Sequence, residues 1–212
     1  MSYHRNYNGK LSDDMVKLFK KYIGRKCNLF FSEPYDIQAF EVALTFQEGI
    51  LHVRSDYELS EVKDKVKYEF SHFIVSEGDY LSDKLKEKNF KVPINAILED
   101  VFVCRESSYC LENNVFFQQK EHIMDFSFDE ILRHSEDINE FAEFDSGICF
   151  AFGNMYLKLE MMVFVDALFS IDFSKGKPRF SLLTDRVRDD DEREDLIRWY
   201  YAEPKIISAL SY

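Results

Sequence analysis

Three residues have the spacing of a metal-dependent nuclease site. Asp36 is followed by Glu61-Val62-Lys63, and an acid with a later Glu-x-Lys can hold Mg²⁺ and activate water. In such sites the side chains come from adjoining strands, whereas residues 61–63 lie in a polar stretch with helical character. Glu-x-Lys is also common by chance in this chain, because 31% of its residues are charged. We therefore keep a metal-dependent hydrolase or nuclease as an alternative, not as the main interpretation.

The histidines have the spacing of neither a zinc site nor an acid–base pair. The chain has no HExxH motif, no GxSxG motif and no glycine-rich phosphate loop. His122 has Glu121 and Asp125 beside it, but in a strand it projects to the face opposite both. Only the hydrolase alternative would use His122 or His72. We expect no catalytic residue, no metal and no cofactor.

The cysteines form no CxxC pair, so their spacing does not indicate a zinc site. Each lies in an apolar, strand-like stretch, where a free cysteine behaves as a small hydrophobic residue. The pattern predicts reduced structural thiols at Cys27, Cys104, Cys110 and Cys149.

The strongest charge feature is the acidic run, residues 185–195. Consecutive acids seldom converge on one ion, and calcium loops space their ligands at alternate positions, so metal binding is disfavoured. Closely spaced carboxylates do project a field that steers cationic proteins. Two alternatives are a mimic of nucleic-acid phosphate and a solvated segment that begins the last helix. The candidate binding residues in the run are Asp185, Asp189, Asp190, Asp191, Glu192, Glu194 and Asp195.

Aromatic residues follow the acidic run directly. Trp199 and Tyr200 are candidate anchors for a partner, since aromatic residues are enriched in interface hot spots. The competing interpretation is that both pack the last helix onto a sheet, because Leu196, Trp199 and Tyr200 share one helical face.

Composition narrows the function classes. With 27 basic and 39 acidic residues, the net charge is −12, which disfavours direct binding to DNA or RNA. Hydrophobic residues make up 46% and aromatic residues 16% of the chain, enough for a packed core. No apolar run approaches the roughly 20 residues of a membrane span. The first residues also lack the apolar stretch of a secretory signal. We expect a soluble cytoplasmic protein.

Helix signals are clearest near the start of the chain. Ser12 is a natural N-cap, Asp13 and Asp14 favour the positive end of the helix, and Gly24 supplies its stop. The pattern also predicts helices over 80–90 and 129–144, and a last helix from Leu196 that ends before Pro204.

Alternating apolar residues predict many strands. Residues 58–74 fit either a helix or a strand, and we favour a break near Asp64 with a strand after it. Gln47-Glu48-Gly49 and Gly153-Asn154 predict hairpin turns. The expected strands are 26–31, 40–46, 50–54, 97–104, 109–118, 122–128, 146–152, 155–162, 164–173 and 180–183.

These elements predict an α+β fold with mostly antiparallel, meandering sheets and three to five helices. Leu29-Phe30-Phe31 and Val101-Phe102-Val103 begin two weakly similar stretches, which suggests an internal repeat. The chain would then form an N-terminal unit over 1–90 and a C-terminal unit over 91–212, unless it is one continuous domain.

The main functional interpretation is a non-enzymatic, acidic binding protein that inhibits a basic partner. That partner would be a toxin or a nucleic-acid-processing protein, engaged as by an immunity protein or a nucleic-acid mimic. The acidic run would steer the encounter and an aromatic anchor would then be buried. Neither nucleic acid nor membrane is expected to bind directly. Besides the hydrolase, a subunit of a larger assembly that uses an exposed sheet edge is an alternative.

Overall fold

The computed structural model describes residues 5–33, 38–61, 67–87, 90–112, 138–161, 168–176, 179–180, 197–201 and 205–212. This part of the chain is mostly β-structure, with two mainly antiparallel sheets and two α-helices. The expected α+β fold with three to five helices is therefore wrong.

The elements follow each other in a fixed chain order. They are β1 (Arg5–Gly9), α1 (Asp13–Tyr22), β2 (Lys26–Ser32), β3 (Gln38–Ala39), β4 (Glu41–Phe46), β5 (Ile50–Glu61), β6 (Lys67–Gly78), α2 (Asp83–Glu87), β7 (Phe90–Ile97), β8 (Asp100–Glu112), β9 (Ile138–Phe152), β10 (Met155–Met161), β11 (Phe169–Lys175), β12 (Ile197–Tyr201), β13 (Lys205–Ser208) and a 3₁₀ helix (Ala209–Ser211).

The strands form two sheets. Sheet A has the order β12-β8-β9-β10-β11-β3, with β13 also paired to β8 and β1 parallel to β9. Sheet B has the order β6-β5-β4-β2-β7, and all of its pairs are antiparallel. Strands from both halves of the chain enter each sheet, since β1 and β3 lie in sheet A and β7 lies in sheet B. The unit boundary near residue 90 and the internal repeat stay predictions.

The two sheets share one hydrophobic core. Phe30 of sheet B meets Phe173 of sheet A edge to face, with ring centroids 5.2 Å apart. Phe73 of sheet B lies 5.7 Å from Phe169 of sheet A. Helix α1 joins the same core through Phe19. Burying each such side chain stabilises the fold by about 1.5–3 kcal/mol, so these contacts hold the sheets face to face.

Helix α1 confirms the capping signals. The Ser12 Oγ accepts a hydrogen bond from the backbone N–H of Met15 at 3.3 Å. Gly24, just past the helix, has φ +84°, which a glycine adopts without steric cost. The buried face of α1 consists of Val16, Phe19 and Tyr22.

Both predicted hairpins are confirmed. β4 turns into β5, and β9 turns into β10, with the glycine of each turn at positive φ. Within residues 58–74, β5 and β6 confirm the strand interpretation; the break near Asp64 lies outside the described residues. β4 is a largely buried strand, since five of its six residues are buried. Its outer face is covered by Leu85 of α2, which packs on Ala43.

Three helix predictions need correction. Residues 138–144 belong to β9, because pairing with β8 satisfies their backbone groups and overrides their helical spacing. Ile197–Tyr201 form β12 for the same reason, so the last helix is absent at these residues. The helix over 80–90 shortens to α2, and Phe90 already begins β7.

Two further details of β7 and β8 also differ from expectation. Pro93 lies inside β7, where a proline is tolerated because β7 is an edge strand that pairs only with β2 in the described part. The expected strands 97–104 and 109–118 are instead joined in one strand, β8, up to Glu112. A bulge between Cys104 and Arg105 lets β8 follow β9 without interruption. The strand predicted over 122–128 lies outside the described residues.

Candidate functional site

The acidic run itself lies outside the described residues, as do Asp185, Asp189, Asp190, Asp191, Glu192, Glu194 and Asp195. The chain on either side of it is described. Before the run, the Lys158 Nζ donates to the backbone oxygen of Arg179 at 2.9 Å. After the run, β12 pairs with β8 from Ile197↔Glu112 to Tyr201↔Ser108. Both flanks of residues 181–196 are therefore attached to sheet A.

Phe180 strengthens the first of these attachments. A Cβ added at Gly147 would lie 2.5 Å from the ring of Phe180, so that ring rests directly on the backbone of β9. Gly147 pairs with Glu160, whose strand neighbours Leu157 and Leu159 belong to the core. Phe180 consequently packs on the outer face of sheet A. Phe180 is not part of a strand, and the rest of the strand predicted over 180–183 lies outside the described residues.

Trp199 and Tyr200 lie in β12, at one edge of sheet A. Trp199 is in register with Cys110 and Tyr200 with Tyr109. The helical face on which they were expected to meet Leu196 does not exist, because these residues are extended. Their backbone position still places both of them at a sheet edge, immediately after the acidic run.

The nuclease-like pattern is not assembled in the described part of the chain. Glu61 is the last residue of β5, whereas Asp36 and Lys63 lie outside it. Within the described ranges no group of three His, Cys, Asp or Glu residues is placed to hold a metal ion. His72 lies in β6 opposite Asp56, and His122 is not described.

Three of the four cysteines are buried free thiols, as predicted: Cys27, Cys104 and Cys149. Burial raises the pKa of both Cys27 and Cys104 to about 12. Because the thiolate is the reactive form, these thiols are poor nucleophiles at neutral pH. The side chain of Cys110 lies outside the described part.

The structure reveals a cleft that sequence reasoning missed. Its volume is about 510 Å³, and it opens on the outer face of sheet B beside the start of α2. Its lining comes from four separate chain segments, which meet only because β2, β4 and β5 are neighbours and α2 packs over them. The lining residues are Glu33, Phe40, Glu41, Arg54, Ser55, Asp56, Ser82, Asp83 and Lys84.

Both carboxylate oxygens of Glu41, in the lining of this cleft, have hydrogen-bond partners. Its Oε1 lies 3.0 Å from the His52 Nδ1, and its Oε2 accepts a 2.8 Å hydrogen bond from the Ser82 hydroxyl. Burial alone raises the pKa of Glu41, but the bonds from His52 and Ser82 outweigh it and lower this pKa. Arg54 sits directly across the strand pair and adds positive charge. Both Glu41 oxygens are thus engaged, and the side chain stays ionised.

Glu33, unlike Glu41, has a carboxylate oxygen without a hydrogen-bond partner. It is only 7% exposed, and its Oε1 is buried without any hydrogen-bond partner. Burial raises the pKa of Glu33, against the positive charge of Lys84 and a backbone hydrogen bond from Phe40. A buried carboxylate oxygen that lacks a partner is costly, so its position calls for an explanation.

The lining carries more acid than base. Glu33, Glu41, Asp56 and Asp83 contribute four negative charges, and Arg54 and Lys84 contribute two positive ones, so the lining has a formal charge of −2. No sequence motif points to it, since its acids are spread over residues 33–83 and none has a spacing typical of a site.

In comparisons with known proteins, no family model, no curated protein and no solved structure matches the chain. Neither helix of the described part is long and apolar enough to cross a membrane.

Proposed function

We propose that this protein is a non-enzymatic binding protein that engages and inhibits a basic protein partner. The partner class is a toxin or a nucleic-acid-processing protein. The acidic run provides the attraction, and the aromatic residues of β12 provide contact area beside it.

The attachment of both flanks of the acidic run carries this proposal. Phe180 packs on Gly147 before the run, and β12 pairs with β8 after it. Fixing both ends of a segment reduces the entropy that it must lose on binding. Ten of the eleven residues from 185 to 195 are charged, seven acids and three bases, so this short stretch is acidic in net terms, which favours long-range steering.

The geometry of the cleft favours binding over catalysis. His52 faces Glu41, and Ser82 donates to Glu41 rather than to His52, so the three do not form a nucleophile–base pair.

The test begins by isolating basic partners from the native host at low ionic strength and then measures association rates with the purified partner. A variant with Asp190→Asn, Asp191→Asn, Glu192→Gln and Glu194→Gln removes four charges from the run. We expect its association rate to fall about tenfold at low salt and the salt dependence to flatten. The matched control neutralises Asp79, Glu48, Glu99 and Asp172, which are exposed and lie elsewhere. Equal rates for the two variants would overturn the steering mechanism.

A further inference from the structure

The cleft on sheet B contains a buried carboxyl group that is only partly hydrogen-bonded. Glu33 Oε1 is buried and makes no hydrogen bond, although the cationic side chain of Lys84 lines the same cleft. Lys84 instead has its Nζ over the Phe40 ring, 6.0 Å from the ring centroid. Lys84 is exposed, so its side chain can move away without disturbing the core.

The other buried acid of the cleft, Glu41, does not share this lack of a hydrogen-bond partner. Glu41 already binds His52 and Ser82, and its charge is opposed by Arg54. Glu33 is therefore the one carboxyl group of the described lining that is both buried and incompletely bonded. An external donor that reached it would gain a charge-assisted hydrogen bond at a desolvated position.

We propose that this cleft binds a single guanidinium or alkylammonium group, with Glu33 Oε1 as its acceptor and the Phe40 ring as its stacking face. The group comes either from a side chain of a protein or from a free small molecule. This proposal goes beyond the proposed function, because it concerns sheet B and does not depend on the acidic run.

An organic cation fits the cleft better than a metal ion does. A volume of about 510 Å³ is in the range of pockets for small molecules and side chains. No three ligating side chains of the described residues converge on one point, as a metal site would require. An aromatic face and a carboxylate together are the usual partners of a guanidinium group.

Lys84 then has a clear role as an internal competitor. Its ammonium group occupies the cation–π position over Phe40 and contributes positive charge near Glu33. A ligand must displace it, so removing its charge should strengthen ligand binding. A residue that served only to stabilise the cleft would have no such effect.

The test uses the full chain and amide chemical-shift titrations with methylguanidinium, n-butylammonium and N-acetyl-arginine amide at pH 8. We expect saturable shifts at the amides of Phe40 and Glu41 for at least one probe. Glu33→Gln should weaken that binding about tenfold, and Lys84→Met should strengthen it severalfold. The controls are Glu99→Gln and Lys175→Met, exposed residues outside the lining, which should leave affinity unchanged.

The probes also separate the two sources of the cation. Tighter binding of N-acetyl-arginine amide than of methylguanidinium indicates a protein side chain, and equal binding indicates a small molecule. Absence of saturable shifts for all probes overturns the proposal, and so does equal affinity in wild type and Glu33→Gln. The proposal would also be overturned if Ca²⁺ shifted the same amide signals and bound more tightly than every organic probe. If Glu33→Gln fails to fold, Lys84→Met still tests the proposal, because this variant should bind the probe more tightly than the wild type does.

Discussion

Arg105 donates two hydrogen bonds to Asp145 across the β8–β9 pair. Its Nε lies 2.8 Å from Oδ1, and its Nη2 lies 3.1 Å from Oδ2. Asp145 is fully buried and also accepts a 2.7 Å bond from the backbone N–H of Leu11. The Nη2 of Arg105 in turn donates to the hydroxyl of Tyr212 at 2.6 Å. One ion pair therefore ties two central strands to the segment before α1 and to the far end of the described chain.

Removing the cation of this pair should be strongly destabilising. In Arg105→Met, Asp145 would remain buried with an uncompensated charge, which typically costs about 3–5 kcal/mol. Burial by itself lowers the pKa of Arg105, but the bonds to Asp145 and Tyr212 outweigh it and raise this pKa. Burial also raises the pKa of Asp145, but the two-pronged geometry is that of a guanidinium–carboxylate ion pair. Arg105→Lys keeps the charge, loses the two-pronged geometry and should cost less. Urea unfolding measures both changes.

The control for that comparison is Arg25→Met. Arg25 is exposed, and its Nη1 lies 3.4 Å from the Glu48 carboxylate. Surface pairs of this kind contribute about 0–1 kcal/mol. A loss at Arg105 no larger than the loss at Arg25 would show that Asp145 does not depend on its partner.

The two buried glutamates of the cleft should affect stability in opposite directions. Glu41 has a lowered pKa in the folded protein, so its contribution is present above the unfolded pKa and is lost as the pH falls through the folded value. Glu41→Gln should therefore cost about 2 kcal/mol at pH 7, and the difference should shrink in acid. Denaturant melts across the pH range measure this.

Glu33 has a raised pKa, so the sign reverses. Its contribution is fully present below the unfolded pKa and is lost as the pH rises through the folded value. At pH 7 the unpartnered carboxylate is then a cost, and Glu33→Gln should stabilise the free protein by about 1 kcal/mol. A destabilised Glu33→Gln would mean that the Glu33 carboxylate already has a partner.

The buried thiols should resist alkylation while the protein is folded. With a pKa of about 12, only about one in ten thousand Cys27 or Cys104 side chains is a thiolate at pH 8. Iodoacetamide labelling, followed at the level of single peptides, should modify neither residue until urea unfolds the chain. Rapid native labelling of either peptide would contradict the burial of these thiols.

The sequence predicted local structure well where the signal is local. The Ser12 cap and the glycine turns depend on a few adjacent residues, and both appear as expected. The helix predictions over 138–144 and 197–201 were wrong. The apolar spacing of these residues suits a helix, but their backbone partners lie in β8, far away in the chain. Pairing with a central strand outweighed propensity at both places.

The candidate site likewise could not be predicted from the local sequence. Glu33, Glu41 and Arg54 carry no recognisable spacing, because a sheet brings them together through strand order. Nothing in the local sequence marks Glu33 as buried, and only its three-dimensional surroundings leave its Oε1 unbonded. The acidic run, by contrast, is obvious in sequence, and the structure adds where its flanks are attached.

The contact between Phe180 and Gly147 should control how firmly the first flank is held. A Cβ at position 147 would meet the Cδ1 and Cε1 atoms of Phe180 at 2.5 Å, so Gly147→Ala must displace that ring from β9. We expect a loss of about 1–3 kcal/mol from the forced overlap, and faster proteolysis after Phe180. Limited proteolysis and urea unfolding report on the two effects separately.

A double-mutant cycle tests whether the clash is specific. Phe180→Ala alone should free the flank and should also accelerate proteolysis. In the Phe180→Ala background the ring is absent, and the next contact of an added Cβ is the Leu159 carbonyl oxygen at 3.4 Å. Gly147→Ala should then be nearly neutral, which gives a coupling energy of about 1 kcal/mol or more between the two positions. Additive effects would show that Phe180 does not rest on Gly147, and the attachment on which steering by the acidic run depends would lose its support.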